Sequence, residues 1–180
     1  TACEGGYYSI IDTASEWSAA GKYASCKGAN CMNGKVCGKT SAGYYSPGGS
    51  TTQTECGGNT KYSSEGASSC STVSSGYYTT GGTETTRTGQ SQCTSGTYCS
   101  EGVKNTCPSG YGTSAAGSDA ASDCYLTTTA GKYIATANSS TQSACTTGNY
   151  CPATTVYYGK YGTNGGGLNA CGGSLTSAAS

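Results

Sequence analysis

Thirteen cysteines stand in a chain that contains no histidine. They are Cys3, Cys26, Cys31, Cys37, Cys56, Cys70, Cys93, Cys99, Cys107, Cys124, Cys145, Cys151 and Cys171. A cysteine can hold metal, act as a nucleophile or cross-link, and the surrounding residues decide among the three. Zinc sites pair closely spaced cysteines, often with His. Here there is no His and no Cys-x-x-Cys, and the densest cluster, Cys26, Cys31 and Cys37, sits among Lys22, Lys27, Lys35 and Lys39. A nucleophilic thiol needs a base beside it and must escape oxidation. No imidazole exists to serve, and the nine carboxylates are scattered. "GKVCGKT" (34–40) has three residues between its glycines where a phosphate loop needs four. "GSDAASD" (117–123) lacks the oxygen spacing of a calcium loop and reads as a solvated turn. No enzyme, metal site or cofactor is expected. Disulfide formation is the chemistry that remains.

Composition says why cross-links are needed. Of 180 residues, three are Leu, three Ile, four Val and none Phe, with one Trp (Trp17) and one Met (Met32). Chains with so few large apolar residues, well below ~20%, usually stay disordered. Disorder normally accompanies high net charge and few aromatics, yet this chain is neutral and carries 16 tyrosines. Sulfur bridges therefore replace an oily interior, which places the protein in an oxidising compartment, outside the cell or on its surface. Neutrality gives no electrostatic reason to bind nucleic acid. No apolar run approaches the ~20 residues of a membrane span, so none is expected.

The elements that must position the cysteines are repeated. A Gly-x-Tyr triplet recurs at Gly6, Gly21, Gly43, Gly76, Gly96, Gly131, Gly148 and Gly159, with degenerate copies in "GGNTKY" (57–62) and "SGYG" (109–112). Small polar residues follow, often a Gly, and then a Cys. The Gly is expected to supply a turn with positive φ. The Tyr is expected to lay its ring on the nearby bridge or the next unit; Tyr8, Tyr45, Tyr78, Tyr98, Tyr133 and Tyr150 are the contact tyrosines so assigned. Two short strands per unit predict small disulfide-rich repeats: an elongated tandem array of short β-hairpins and turns, with little helix and no conventional hydrophobic core. The divisions are 1–37, 38–70, 71–107, 108–145 and 146–180. One helix is expected near 13–20, where Thr13 and Glu16 have capping-box spacing and Gly21 follows.

The run Cys93-x-x-Gly-x-Tyr-Cys-x-x-Gly…Cys-x-x-Gly-Tyr111, echoed at Cys145–Tyr150 and Cys151-Pro152, resembles the GCC2/GCC3 cysteine-rich repeats. These are also described as ephrin-receptor-like and are related to tumour-necrosis-factor-receptor modules. The texture is similar to surface and extracellular filament proteins of ciliates and other protists. The resemblance covers roughly 38–171. Most of the family's Cys-x-x-Cys steps and many Cys-Pro pairs are missing. It implies bridges Cys56–Cys70 and Cys93–Cys107.

Thirteen is odd, so at least one cysteine is unpaired within the chain or bonded outside it. Cys3 is the expected odd one, joined to a neighbouring copy or to chain outside these residues. Asn138-Ser139-Ser140 is a sequon for N-linked sugar. Asn105, Asn149 and Asn169 head weaker Asn-x-Cys variants, and Ser and Thr, 56 together, offer O-linked sites in runs such as 79–88. The functional expectation is a structural extracellular glycoprotein that assembles with copies of itself as a fibre or coat. The alternative is a cell-surface receptor or antigen module, lipid-anchored through a small-residue tail (176–180), that binds without catalysis.

Overall fold

The computed structural model describes residues 3–11, 31–32, 35–50 and 52–172. For 9–11, 31–32 and 35–36 the description covers the backbone alone. The helix expected at 13–20 and Cys26 lie outside these residues.

Strands of two to five residues make up nearly all the regular structure. The one helical element among the described residues is a single 3-10 turn, Ala121–Asp123. The Asp123 carboxylate caps it, accepting the N–H groups of Asp119 (3.0 Å) and Ala120 (3.1 Å). The apolar poverty of the sequence explains the strands' brevity, since no segment has the face that would hold a longer one.

The chain opens with β1 (Tyr7–Ile11), β2 (Cys31–Met32) and β3 (Lys35–Lys39), an antiparallel sheet with β3 in the middle. Tyr7 lies opposite Lys39 and Ser9 opposite Cys37. Four pairs of consecutive strands follow. They are β4 (Tyr44–Tyr45) with β5 (Thr54–Glu55), β6 (Lys61–Tyr62) with β7 (Ser71–Thr72), β8 (Tyr77–Thr80) with β9 (Gly89–Gln92), and β10 (Thr97–Ser100) with β11 (Val103–Thr106). The connection from β10 to β11 is two residues, Glu101 and Gly102, at φ 52° and 73°. Two successive positive φ values make the type I′ turn that suits a twisted hairpin.

Beyond this point the pairing interleaves. β12 (Tyr125–Thr127) pairs antiparallel with β16 (Thr155–Tyr157). Between them lies the hairpin of β13 (Lys132–Ile134) and β14 (Gln142–Ala144). β15 (Asn149–Tyr150) reaches forward to β17 (Asn169–Ala170). The expectation of small disulfide-stapled hairpins holds.

The chain divides into two compact units. The first comprises Thr1–Ser74, Tyr78–Ser91 and Glu101–Val103; the second comprises Ser75–Tyr77, Gln92–Ser100 and Lys104–Ser180. Their interiors differ in kind. Among the described side chains, the buried residues of the first unit are Cys3, Cys37, Thr40, Ser46, Ser63 and Thr79. The second buries Tyr111, Ile134 and Val156 along with five cysteines, Ser114, Ser118 and Thr128.

Candidate functional site: turn, bridge and hydroxyl seat

The recurring Gly of the sequence sits at the third position of a β-turn. Eight such turns, at 4–7, 41–44, 94–97, 108–111, 115–118, 129–132, 146–149 and 157–160, are closed by an N–H···O=C bond of 2.9–3.4 Å between first and last residues. In each, the third residue is Gly at φ between 79° and 90°. Among the described residues the only non-glycines with positive φ are Glu101 and Asn138, so the second position is ordinary and the turn is type II. At five of the eight the space is occupied as well, whereas Gly131 and Gly148 have nothing within 4 Å and Gly159 only the Asn138 side chain at 4.0 Å. A Cβ on Gly43 would overlap the carbonyl of Thr86, and one on Gly76 that of Gly117.

Three of these turns are docked in the same way. The carbonyl of the residue after the Gly accepts the hydroxyl of a buried serine: Ser46 Oγ to Tyr7 O (2.9 Å), Ser63 Oγ to Tyr44 O (2.8 Å) and Ser114 Oγ to Thr97 O (2.8 Å). Three residues after each serine, a glycine N–H donates to the carbonyl three residues before the turn Gly. These bonds are Gly49 to Cys3 (2.8 Å), Gly66 to Thr40 (2.9 Å) and Gly117 to Cys93 (2.9 Å). Two of the docks gain a third bond, from Gly6 N–H to Ser46 O and from Gly43 N–H to Ser63 O. A Ser-x-x-Gly segment thus clips onto a Cys/Thr-x-x-Gly turn. The sequence reading missed these serines. The shared Ser-x-x-Gly spacing at 46–49, 63–66 and 114–117 was the signal available.

The same device extends through the interior. All seven buried Ser and Thr residues among the described side chains donate their hydroxyl to a backbone carbonyl, including Thr79 to Asn59 (2.8 Å) and Thr128 to Thr154 (3.3 Å). Buried polar groups persist when hydrogen-bonded in this way.

Among the described residues five bridges lock the turns, with Cα–Cα distances of 5.6–5.8 Å. Cys56–Cys70 forms as the resemblance implied. Cys93–Cys107 does not. The 94–97 turn folds Cys93 back onto Cys99, and the bridges are Cys93–Cys99 and Cys107–Cys124. Cys145–Cys151 repeats the short clamp around the turn at 146–149. Cys3 is not the odd cysteine: the pairing of β1 with β3 carries it to Cys37, and the two are bonded. Cys171, expected in a bridge, is a free, half-buried thiol. Cys31 lies in β2, its side chain outside the description.

Of the contact tyrosines, Tyr8, Tyr45, Tyr78, Tyr98 and Tyr133 are half-buried, and Tyr150 is 53% exposed. Tyr98 packs against the buried cluster of Cys107, Tyr111 and Cys124. Tyr111, from a degenerate repeat, is the fully buried one. It meets Tyr158 edge-on at 5.4 Å and donates its hydroxyl to Ser139 O (2.8 Å). Burial, and secondarily Tyr158, raises its pKa above the ordinary tyrosine value. That hydrogen bond ties down the loop displaying Asn138, which is exposed at φ 62°. Among the weaker sequons, Asn105 and Asn149 precede bridged cysteines and Asn169 precedes the free one.

Among the described residues no group of three or more Cys, Asp and Glu side chains is placed to hold a metal ion. No helix there is long and apolar enough to cross a membrane. Comparison with family models, curated proteins and solved structures finds no match for this chain.

Proposed function

We propose that this chain is a structural extracellular glycoprotein, self-associating as the protomer of a fibre or surface coat. The observation that carries the reading is the threefold recurrence of one dock, in which backbone is fixed to backbone by hydroxyls and bridges. This geometry, repeated among the described residues, holds shape. The five disulfides among the described residues suit an oxidising compartment. Tyr150, Tyr157 and Tyr161, 44–53% exposed, are side chains of the kind enriched where proteins meet. Asn138 stands on an exposed loop, open to a glycosyltransferase. The likeness of Cys93–Tyr111 to ephrin-receptor-like repeats supports the extracellular part of the reading.

Negative-stain images of purified native material test it. Fibres or sheets of uniform width that survive dilution at neutral pH are expected; separate particles alone overturn the assembly. Treatment with a peptide N-glycosidase should lower the mass by one glycan and convert Asn138 to Asp. An unmodified Asn138 removes the sugar from the proposal.

A further inference from the structure

Tyr125 and Tyr157 lie opposite each other across β12 and β16. The bonds from Tyr158 N–H to Cys124 O (2.8 Å) and from Thr128 N–H to Thr154 O (2.9 Å) fix which pairs of this ladder are hydrogen-bonded. Alternation then makes Leu126–Val156 a hydrogen-bonded pair and Tyr125–Tyr157 a non-hydrogen-bonded one, the kind whose side chains come closest. The two pairs point to opposite faces. Val156 is fully buried and Leu126 packs at the Tyr111 cluster, so the tyrosines stand on the outer face with the exposed Thr127 and Thr155. Their ring centres are 5.6 Å apart in an edge-on arrangement, and Tyr157 is 46% exposed.

We propose that this pair is a site of oxidative cross-linking, at which a peroxidase joins Tyr125 to Tyr157 as dityrosine. Each phenol loses one electron and its hydroxyl proton, and the two radicals couple through ring carbons ortho to oxygen. The hydrogen displaced from each of those carbons returns to its own oxygen, restoring two phenols. Hydrogen peroxide, acting through the haem of a secreted peroxidase, takes up the two electrons and two protons and leaves as two waters. Contact selects this pair, because adjacent rings couple without a diffusional encounter. Exposure selects it over Tyr111–Tyr158 at 5.4 Å, where Tyr111 is fully buried and its hydroxyl is committed to Ser139 O. Cys124, beside Tyr125, is bridged to Cys107 and offers no thiol to quench a radical. The new bond closes the loop that carries β13 and β14 with a link that no thiol reduces. The inference takes from the proposed function only its extracellular setting, where peroxide and a peroxidase are met, and it needs no second copy.

The test exposes the purified, disulfide-intact chain, dilute, to a plant haem peroxidase and hydrogen peroxide. Dityrosine fluorescence should appear in chains that keep the 17.8 kDa single-chain mass on reducing electrophoresis. After reduction and trypsin, peptides 105–132 and 133–160 should remain joined, and fragmentation should locate the bond at Tyr125 and Tyr157. Tyr125→Phe and Tyr157→Phe should each lose the link within the chain, whereas Tyr158→Phe should keep it. The wild-type map needs none of these variants, so a misfolded substitution leaves it intact. A bond between Tyr111 and Tyr158 overturns the proposal. So does coupling only between chains, at doubled mass, or the absence of dityrosine while free tyrosine in the same reaction is coupled. The reaction is read on separate chains, so a missing bond leaves fibre assembly standing and missing fibres leave the bond standing.

Discussion

At the scale of single residues, the protein uses its commonest side chains as its most specific ones. Gly131 has φ 82° with open space around it, whereas Gly43 and Gly76 have similar φ and a carbonyl in the way. Gly131→Ala should therefore cost about 1–2 kcal/mol from left-handed strain alone. Gly43→Ala and Gly76→Ala should lose at least twice as much, read from non-reducing denaturant midpoints. Equal costs would mean that the close approach is unimportant. Serines divide in the same way. Ser63 is buried and bonded to Tyr44 O, while its neighbour Ser64 is exposed. Ser63→Ala should destabilise by about 1–3 kcal/mol, and Ser64→Ala should stay within about 0.5 kcal/mol of zero. Tyr111 adds a pH signature. Its folded pKa is raised above the unfolded value of about 10. The stabilisation it contributes is thus complete below that value and disappears as pH climbs through the higher, folded one. A phenolate would also forfeit the bond to Ser139 O. Ultraviolet titration should reveal one late-ionising phenol that is missing from Tyr111→Phe.

At the scale of elements, the turns were legible and the docks were not. A type II turn is written in four consecutive residues, so "SAGY" or "TSGT" announces it locally. The dock joins residues far apart, such as Ser46 to Tyr7 and Ser63 to Tyr44, separated by 39 and 19 positions. The Ser-x-x-Gly spacing of the dock serines also occurs at the exposed Ser109, so among 56 Ser and Thr residues it does not by itself single out the buried few. Bridge connectivity failed for a related reason. Cys99 and Cys107 are both near Cys93 in sequence, and only the sharpness of the 94–97 turn selects Cys99. Within the run 79–88, suggested for O-linked sugar, Thr79 proved to be buried and bonded to Asn59 O, while Thr83 and Thr85 are exposed. The bridges should rank by loop length. Replacing Cys107 and Cys124 together by serine should cost about 3 kcal/mol, and the shorter Cys93–Cys99 loop about 2. Thermal midpoints of the two double variants check the order.

At the scale of the whole molecule, the two units offer a built-in comparison between cores of different chemistry. Hydroxyl–carbonyl bonds contribute about 1 kcal/mol each and are directional, so they hold a fold only while the backbone is already confined. Apolar contacts are non-directional and survive loosening. Among described side chains the first unit buries cysteines and hydroxyls, and its bridges are Cys3–Cys37 and Cys56–Cys70. The second adds Tyr111, Ile134 and Val156, with Tyr98, Leu126 and Tyr158 packed near Tyr111. Mild reduction without denaturant removes the confinement from both units. Amide hydrogen exchange followed through that reduction should then show the first unit losing protection sooner. The N–H groups of Gly49 and Gly66, which close its docks, should be among the first to exchange. In the second unit, the N–H of Ile134, bonded to Gly166 O, should persist longer. Simultaneous loss in both units, or earlier loss around Ile134, would show that the buried side chains contribute nothing once the sulfur is reduced.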